Sequence, residues 1–350
     1  MNTPQLRISQ YETVLFNTNL NPMGIPVSVS EAIKQNIPSI VKYPDIYYTK
    51  LKAAVSTYVD APLENIVMGN GSTDLLKLFS ALLLPKKTMV ISPGPGEYEN
   101  VFRAYNAEVV HYDLSEDKEF VLDVNDLIRA LTPDLDILIV ANPNNPTSKK
   151  IELADIRKLA NACKELDIFL IIDEMYIEFI DNYLDYTAVP LTNEYNNLTI
   201  IRSVSKFFAV PGLRFAYAII NNPEHKEIID RITTKNNIAS LTAIAITDMF
   251  KDADYIAESQ SMVHTERSLV YLAMSTSKTI KLYKPDANFM LVKLLKDDLT
   301  SSDVAVHCNQ RGIIIRKCDD FRGLDNNFIR FCFMKPKQND LMVNTILEIV

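Results

Sequence analysis

The chain of 350 residues is long enough for more than one domain, because a single hydrophobic core rarely grows beyond about 250–300 residues. Apolar residues make up 47% and charged residues 23% of the sequence, as in an ordinary globular protein. The net charge of −8 argues against nucleic acid or an anionic membrane surface as the main partner.

The cysteine and histidine pattern and the N-terminal stretch predict a cytoplasmic protein. Residues 1–16 contain no basic head followed by an apolar core, so we expect no signal peptide. Apolar runs fall short of the roughly 20 residues that span a bilayer. The four cysteines lack metal-site spacing and the four histidines are scattered, so we expect reduced thiols and no metal centre.

The middle of the chain alternates strand-like and helix-like patterns. Apolar runs begin at residues 88, 107, 136, 167 and 197. Between the third and fourth runs, residues 152–166 carry apolar side chains at helical spacing. Strand, helix and strand at a spacing of about 30 residues indicate βαβ units. Because the strands are continuously apolar, we expect a mostly parallel sheet covered on both faces.

The last third of the chain has a different character. It shows a long helical stretch at about 223–276, followed by strand-like segments at 288–295, 312–318 and 328–334 and a terminal helix at 338–350. We predict an α/β fold with a large domain over residues 28–240. Residues 1–27 and 241–350 would form a smaller α+β domain that includes the connecting helix.

Polar side chains follow three of the predicted strands. Asn145 follows the third run, Asp173 and Tyr176 follow the fourth, and Ser205 and Lys206 follow the fifth. In parallel sheets, ligands bind beyond the carboxyl ends of the strands. If these strands are neighbours, their polar side chains converge on one site.

Each of these residues also has a simpler interpretation. A single lysine such as Lys206 is most often a solvated charge, and Asp173 could cap a helix. Asn-Pro pairs usually form turns. The segment GNGS (69–72) could be a glycine turn before a helix, since it matches neither GxGxxG nor a P-loop.

Taken together, the residues have the chemistry that pyridoxal phosphate requires. A lysine amine forms a Schiff base with an aldehyde. A carboxylate beside a pyridine nitrogen keeps the ring protonated, so that the ring accepts electrons. Free N–H groups at a helix start bind phosphate, and Arg214 can add a charged contact.

The ordered motifs resemble those of class I/II aminotransferases of pyridoxal-phosphate fold type I, near the histidinol-phosphate aminotransferases and threonine-phosphate decarboxylases. The resemblance covers nearly the whole chain. Its motifs are NTNLNPMGIP (17–26), KYPD (42–45), GNGS (69–72), NPNNPT (142–147), DEMYIEF (173–179), SVSKFFAVPGLR (203–214) and FIRF (328–331).

The resemblance implies roles for the matching residues around the cofactor. Lys206 resembles the Schiff-base lysine that also transfers the proton, and Asp173 resembles the partner of the pyridine nitrogen. Asn145 and Tyr176 resemble the groups that hydrogen-bond the phenolic oxygen. The implied phosphate ligands are Gly71, Ser72, Thr73, Ser203, Ser205 and Arg214.

Further residues match positions that bind substrate or a second subunit. Arg330 resembles the clamp for the substrate α-carboxylate, where Asn145 also contributes. Arg316 is similar to a second basic residue near the acidic end of the substrate. Asn21 falls in the loop that covers the substrate. Tyr43 resembles a tyrosine that reaches the phosphate in the neighbouring subunit, which implies a homodimer with shared sites.

The chain departs from the family pattern at the segment SPGPGEYEN (92–100). Pro95 occupies the place of an aromatic residue that stacks on the cofactor ring. Three alternatives remain open: Tyr98 stacks on the ring, Tyr98 reaches the phosphate, or the proline ring covers the face alone. Ser148 replaces the glycine that usually follows the NPT segment.

The sequence leaves the reaction open. Segments 19–24 and 313–331 look closer to threonine-phosphate decarboxylases, but the His-Gly-Gly segment typical of those enzymes is absent. We favour an aminotransferase that acts on a small acidic or phosphorylated amino acid and a keto acid. The alternative is an L-threonine or L-serine O-phosphate decarboxylase. A more remote alternative is a non-catalytic binding protein with this fold.

Overall fold

The computed structural model describes residues 13–350, so the first twelve residues of the predicted small domain lie outside the described residues. The strands are β1 (Val14–Leu15), β2 (Ile66–Gly69), β3 (Lys87–Ser92), β4 (Glu108–Asp113), β5 (Ile137–Ala141), β6 (Phe169–Asp173), β7 (Leu198–Ser203), β8 (Ala216–Ile220), β9 (Ile280–Leu282), β10 (Phe289–Leu294), β11 (Ile313–Ile314), β12 (Arg316–Lys317) and β13 (Phe328–Cys332). The α-helices are α1 (Val27–Asn36), α2 (Thr49–Val59), α3 (Ser72–Leu83), α4 (Gly96–Ala104), α5 (Val124–Ala130), α6 (Leu153–Glu165), α7 (Val204–Phe207), α8 (Pro223–Ile232), α9 (Ser240–Met249), α10 (Ala253–Met274), α11 (Ser301–Asn309) and α12 (Pro336–Ile349).

The central sheet has seven strands in the order β2-β8-β7-β6-β5-β3-β4. The five strands from β7 to β4 run parallel to one another, whereas β8 runs antiparallel to both β7 and β2. The prediction of a mostly parallel sheet is confirmed. The sheet also places β5, β6 and β7 side by side, which was the condition for the polar side chains to converge.

The continuously apolar strands bury side chains on both faces of this sheet. In β5, Leu138 and Val140 belong to one apolar cluster, whereas Ile137 and Ile139 belong to the cluster on the other face. All four are at most 2% exposed. Complete burial of such a side chain contributes roughly 1.5–3 kcal/mol. The strand ends are therefore held by packing on both sides.

The C-terminal region forms a separate antiparallel sheet in the order β12-β13-β10-β9. The predicted single strand at 312–318 is divided: β11 pairs in parallel with β1, and β12 pairs with β13. The N-terminal segment thus packs with the C-terminal region through β1. The predicted domain boundaries themselves stay a prediction.

The predicted long helix at about 223–276 is three helices, α8, α9 and α10. Residues 233–239, which include consecutive threonines and asparagines, interrupt the helical path. Asp252 caps the last helix by accepting a hydrogen bond from the Tyr255 N–H. Within residues 13–350, no helix has both the length and the apolar character needed to cross a membrane.

Candidate active site

The carboxyl ends of β5, β6 and β7 meet at one edge of the central sheet. Ala141 pairs with Asp173, and Asp173 pairs with Ile201 on the next strand. A cavity of about 310 Å³ opens at this edge. Its lining residues include Ser72, Thr73, Leu76, Pro95, Glu97, Tyr98, Asn145, Asp173, Met175, Tyr176, Ser205, Lys206, Pro211 and Arg214.

Lys206 is carried by the short helix α7, directly after β7. The Ser203 side chain caps this helix by accepting from the Ser205 N–H, and the two serine hydroxyl oxygens lie 2.9 Å apart. The Lys206 Nζ donates to the carbonyl oxygen of Thr18 at 2.8 Å. Ser203 therefore positions the helix that presents the amine, while the N-terminal segment contacts the amine itself.

Asp173 presents a buried carboxylate to the cavity, and the residue is only 6% exposed. Its Oδ1 accepts from the Met175 N–H at 2.9 Å, and its Oδ2 accepts from the Tyr98 hydroxyl at 2.6 Å. Burial raises the pKa of Asp173 to about 6, while these two hydrogen bonds act in the opposite direction.

The start of α3 and the Arg214 guanidinium form a cationic corner of the site. Gly71 is the N-cap residue of this twelve-residue helix and has a φ of +97°. A Cβ atom at Gly71 would lie 2.3 Å from Arg214 Nη2. Glycine therefore allows the guanidinium to approach the first N–H groups of the helix, where an anion is favoured.

Arg330 lies beside the cavity and is 5% exposed. Its Nη1 donates to Asn145 Oδ1, and its Nη2 donates to the carbonyl oxygen of Asn17 at 2.8 Å. Among the described residues, the buried Nε has no partner. The guanidinium lies 5.5 Å from the centre of the Phe289 ring, and burial lowers the pKa of Arg330. A desolvated arginine with unused donor capacity is suited to bind a carboxylate.

Arg316 is adjacent to Arg330 across the sheet, since the two residues are paired in the register of β12 and β13. Its side chain is about one-third exposed and donates to Asp320 Oδ2 at 2.5 Å. Both arginines therefore lie on neighbouring strands, but Arg316 is already paired with a carboxylate.

The remaining predicted residues occupy different places. Tyr176 lines the cavity and its hydroxyl accepts from Asn19 Nδ2 at 3.4 Å. Asn21 donates to the Phe207 carbonyl oxygen and to Ser259 Oγ, both at 2.7 Å, so this side chain anchors the N-terminal segment. Tyr43 is 88% exposed and lines another cavity of about 920 Å³. The substrate contact of Asn21 and the intersubunit contact of Tyr43 stay predictions.

The structure adds Glu97 to the site, a residue that the sequence did not identify. Its Oε1 accepts from the Thr73 hydroxyl, which was predicted to bind phosphate. A carboxylate in the first turn of α4 has an ordinary role beside a helix N-terminus, so nothing in the sequence marks it as part of a site. The contact joins α3 and α4 at the cavity wall.

The charged and polar groups at the cavity fit pyridoxal phosphate. A helix start with an adjacent guanidinium suits a phosphate, a buried carboxylate suits a ring nitrogen, and the Lys206 amine suits an aldehyde. The fold and the site thus define a pyridoxal-phosphate enzyme of fold type I.

Comparison with known proteins shows the family. Residues 11–346 match the model for aminotransferase class I and II, so the chain belongs to this family. It is 31% identical to a putative threonine-phosphate decarboxylase of Caldanaerobacter subterraneus subsp. tengcongensis, over 94% of the chain and 88% of the relative. It is 29% identical to the histidinol-phosphate aminotransferase of Methanococcus aeolicus, over 98% and 91%.

A solved structure supports the same family. The crystal structure of the histidinol-phosphate aminotransferase from Clostridium acetobutylicum superimposes with a TM-score of 0.89 at 31% identity, over 96% of this chain and 98% of that one. The predicted fold, family and cofactor are confirmed: the chain is a pyridoxal-phosphate-dependent aminotransferase or decarboxylase.

Proposed function

We propose that the protein is an aminotransferase that moves an amino group between a small acidic or phosphorylated amino acid and a keto acid. The observation that carries the proposal is Arg330, a buried guanidinium beside the cavity that contains Lys206 and Asp173, whose Nε has no hydrogen-bond partner among residues 13–350. The arginine provides a charged ligand for the α-carboxylate, at the end of the cavity where Asn145 also points.

A carboxylate that remains paired with a buried arginine is stabilised as an anion. Loss of carbon dioxide removes that negative charge from the carboxylate, so a strong ion pair in the starting state opposes decarboxylation. Proton removal from Cα leaves the ion pair intact. The environment of Arg330 therefore favours amino-group transfer.

When bound, pyridoxal phosphate supplies an aldehyde that reacts with amines and a ring that accepts the electrons of a Cα bond. The start of α3, Ser205 and Arg214 would hold its phosphate, and Asp173 would pair with its ring nitrogen. Lys206 Nζ would move the proton at the substrate Cα. Pro95 would exclude water from one wall of the cavity, and Arg330 would orient the substrate.

Arg316 is the proposed ligand for the second acidic group of the substrate. It is adjacent to Arg330 in the β12–β13 register and is less buried. Its contact with Asp320 would be exchanged for a substrate carboxylate or phosphate. This exchange replaces one ion pair with another, so the net gain in binding free energy is smaller than for an unpaired arginine.

A second candidate function is the decarboxylation of an amino-acid O-phosphate. The putative threonine-phosphate decarboxylase that is 31% identical over 94% of the chain favours it. Both reactions use the same proposed cofactor ligands, so the difference lies in which Cα bond the protein aligns for cleavage.

One incubation separates the two reactions. The cofactor-loaded protein is mixed with L-threonine O-phosphate or L-histidinol phosphate, each with and without 2-oxoglutarate, and with L-glutamate, with and without a keto acid other than 2-oxoglutarate. We expect the amino group to appear on the keto acid and no release of carbon dioxide. The Lys206→Ala variant is the control and should form no product.

Carbon dioxide released without a keto acid would overturn the proposal in favour of the decarboxylase. Failure of the loaded protein to transform any compound in the panel would instead support a non-catalytic protein with this fold. Both products are measured in the same reaction, by chromatography of amino acids and by trapping of carbon dioxide.

We also propose that the protein is a homodimer. The segment 37–47 exposes large apolar side chains, and five of them are 52–88% exposed: Ile37, Ile40, Val41, Tyr43 and Tyr47. Several large apolar side chains exposed within one short segment are typical of an interface. A second copy of the chain would cover it and bring Tyr43 to the neighbouring site.

A further inference from the structure

Within residues 13–350, each oxygen of the Asp173 carboxylate accepts one hydrogen bond. The Met175 N–H contact at 2.9 Å is local and follows from the turn after β6. The Tyr98 hydroxyl contact at 2.6 Å joins residues that are 75 positions apart. Its length is in the range of a charge-assisted O–H···O⁻ hydrogen bond.

Tyr98 is buried among apolar side chains. It lies in the first turns of α4, is 5% exposed and packs in the same apolar cluster as Val101 and Phe102. Burial raises the pKa of Tyr98 well above its usual value, so the phenol keeps its proton and remains a donor. The hydroxyl is therefore committed to Asp173 in a fixed direction.

We propose, on the basis of the proposed function, that Tyr98 is a positioning residue: its hydroxyl orients the Asp173 carboxylate toward the ring nitrogen of the cofactor. When the Asp173 carboxyl group is neutral, one of its oxygens carries a proton. The neutral group then binds a protonated ring nitrogen less well than the carboxylate does. The Tyr98 hydroxyl and the Met175 N–H both stabilise the ionised carboxylate, against the effect of burial.

This role differs from the two that the sequence suggested for Tyr98. Contact with the phosphate would direct the hydroxyl away from Asp173, and stacking on the ring would not require the hydroxyl at all. The observed hydrogen bond instead couples α4 to the end of β6. Other charged or titratable groups that face Asp173 or line its cavity are Glu97, Glu174, Tyr176, Lys206 and Arg214.

The test is the affinity of the cofactor-free protein for pyridoxal phosphate, measured by fluorescence titration at pH 6.5 and pH 8.5. In Tyr98→Phe, the ring is kept and the hydroxyl is lost, so the pKa of Asp173 rises further. At pH 6.5 a proton on Asp173 then opposes binding. We expect an affinity about tenfold weaker than that of the wild type at pH 6.5 and less than about twofold weaker at pH 8.5.

Two controls isolate the hydrogen bond. Tyr105→Phe, just beyond the end of α4 at the edge of the same apolar cluster, removes a hydroxyl at another position and should leave both affinities unchanged. In an Asp173→Asn background, the further change Tyr98→Phe should alter the affinity by less than about twofold, because the titrating partner is gone. Thermal unfolding of each cofactor-free variant checks that the fold is kept.

A loss in Tyr98→Phe that is equal at both pH values, or that persists in the Asp173→Asn background, would overturn the inference. So would an affinity equal to that of the wild type. A wild-type protein that binds no pyridoxal phosphate would overturn the proposed function as well. A wild type that binds the cofactor but transfers no amino group contradicts only the proposed reaction, and the pH-dependent loss in Tyr98→Phe would still support the role of Tyr98.

Discussion

Gly71 lies where the start of α3 approaches the Arg214 guanidinium. Its φ of +97° and ψ of 165° fall in a region that residues with a Cβ atom rarely adopt. The added Cβ of Gly71→Ala would lie 2.3 Å from Arg214 Nη2 and would move that cation away from the helix start. We expect a loss of about 1–3 kcal/mol in the free energy of unfolding from backbone strain.

The same substitution should also weaken cofactor binding, by roughly tenfold, since about 1.4 kcal/mol of charged contact would be lost. Denaturant unfolding and pyridoxal phosphate titration measure the two effects. Gly212→Ala is the matched control, because Gly212 is two residues before Arg214 and an added Cβ there would have no atom of residues 13–350 within 4 Å. Equal cofactor affinities in the two variants would show that Arg214 is not a phosphate ligand.

At the level of single residues, the sequence identifies side chains whose position follows from a strand end. Asp173, Asn145 and Lys206 line one cavity because β5, β6 and β7 are neighbours. The sequence could not identify the Tyr98–Asp173 contact or the Thr73–Glu97 contact. Both depend on the direction in which α4 leaves the sheet, and this direction is set by packing rather than by a local pattern.

At the scale of the elements, a buried ion pair connects β6 and β7. It joins Glu174, which directly follows β6, to Arg202, which lies near the end of β7. Glu174 accepts from Arg202 Nε at 2.9 Å and from the Thr187 hydroxyl at 2.8 Å, and all three are at most 5% exposed. The Ala188 N–H donates to the other carboxylate oxygen at 2.6 Å. This satisfied pair holds the ends of the two strands that carry Asp173 and lead to Lys206.

Glu178 shares Arg202 with this pair but is less well satisfied. Its Oε1 lies 3.9 Å from Arg202 Nη1 and 3.5 Å from the Tyr58 hydroxyl, and its Oε2 has no partner in the part of the chain that the structure describes. Burial raises the pKa of Glu178 to about 7. The folded protein therefore keeps a proton on Glu178 at pH values where the unfolded chain has released it.

The sign of this shift predicts how stability changes with pH. The contribution of Glu178 is fully present below about pH 4.5 and is lost as pH rises to about 7, by a total of about 3 kcal/mol. Glu178→Gln removes the titrating group. Its free energy of unfolding should therefore fall less than that of the wild type between pH 5 and pH 8, as measured by denaturant unfolding at both values.

The exposed Glu165 at the end of α6 provides the control, since Glu165→Gln should not change the pH dependence. Parallel pH profiles for the wild type and Glu178→Gln would contradict the assignment of a buried, titrating carboxyl. Measurement on the cofactor-free protein keeps the titration of bound cofactor out of the comparison.

Element boundaries were predictable where one physical signal dominates. The helix at 152–166 and the strand ending at Asp173 are found as α6 and β6, because periodicity and continuous apolar character are local properties. The division of segment 312–318 between β11 and β12 was not predictable. It depends on which strand each half pairs with: β11 pairs with β1, about 300 residues away, whereas β12 pairs with the following strand, β13.

At the scale of the whole molecule, the exposed segment 37–47 bears on whether one chain forms a complete site. Tyr43 is 88% and Val41 is 83% exposed, and the cavity beside them is lined by residues of α2 and α9. Apolar side chains at this density favour association with a second copy. Among residues 13–350, Tyr43 does not line the cavity of its own chain that contains Lys206 and Asp173.

Mixed dimers test whether Tyr43 completes the partner's site. Tyr43→Ala should form dimers that bind pyridoxal phosphate about tenfold less tightly, and Lys206→Ala should form dimers without a covalent cofactor linkage. When equal amounts are unfolded and refolded together, half of the dimers contain both variants, and each of these holds one site with Lys206 and a partner's Tyr43. About a quarter of all subunits should then bind the cofactor with wild-type affinity and the absorbance of the lysine-bound form.

If mixing restores no tight sites although light scattering shows dimers, Tyr43 does not act across the interface. A monomer in solution would contradict the dimer itself.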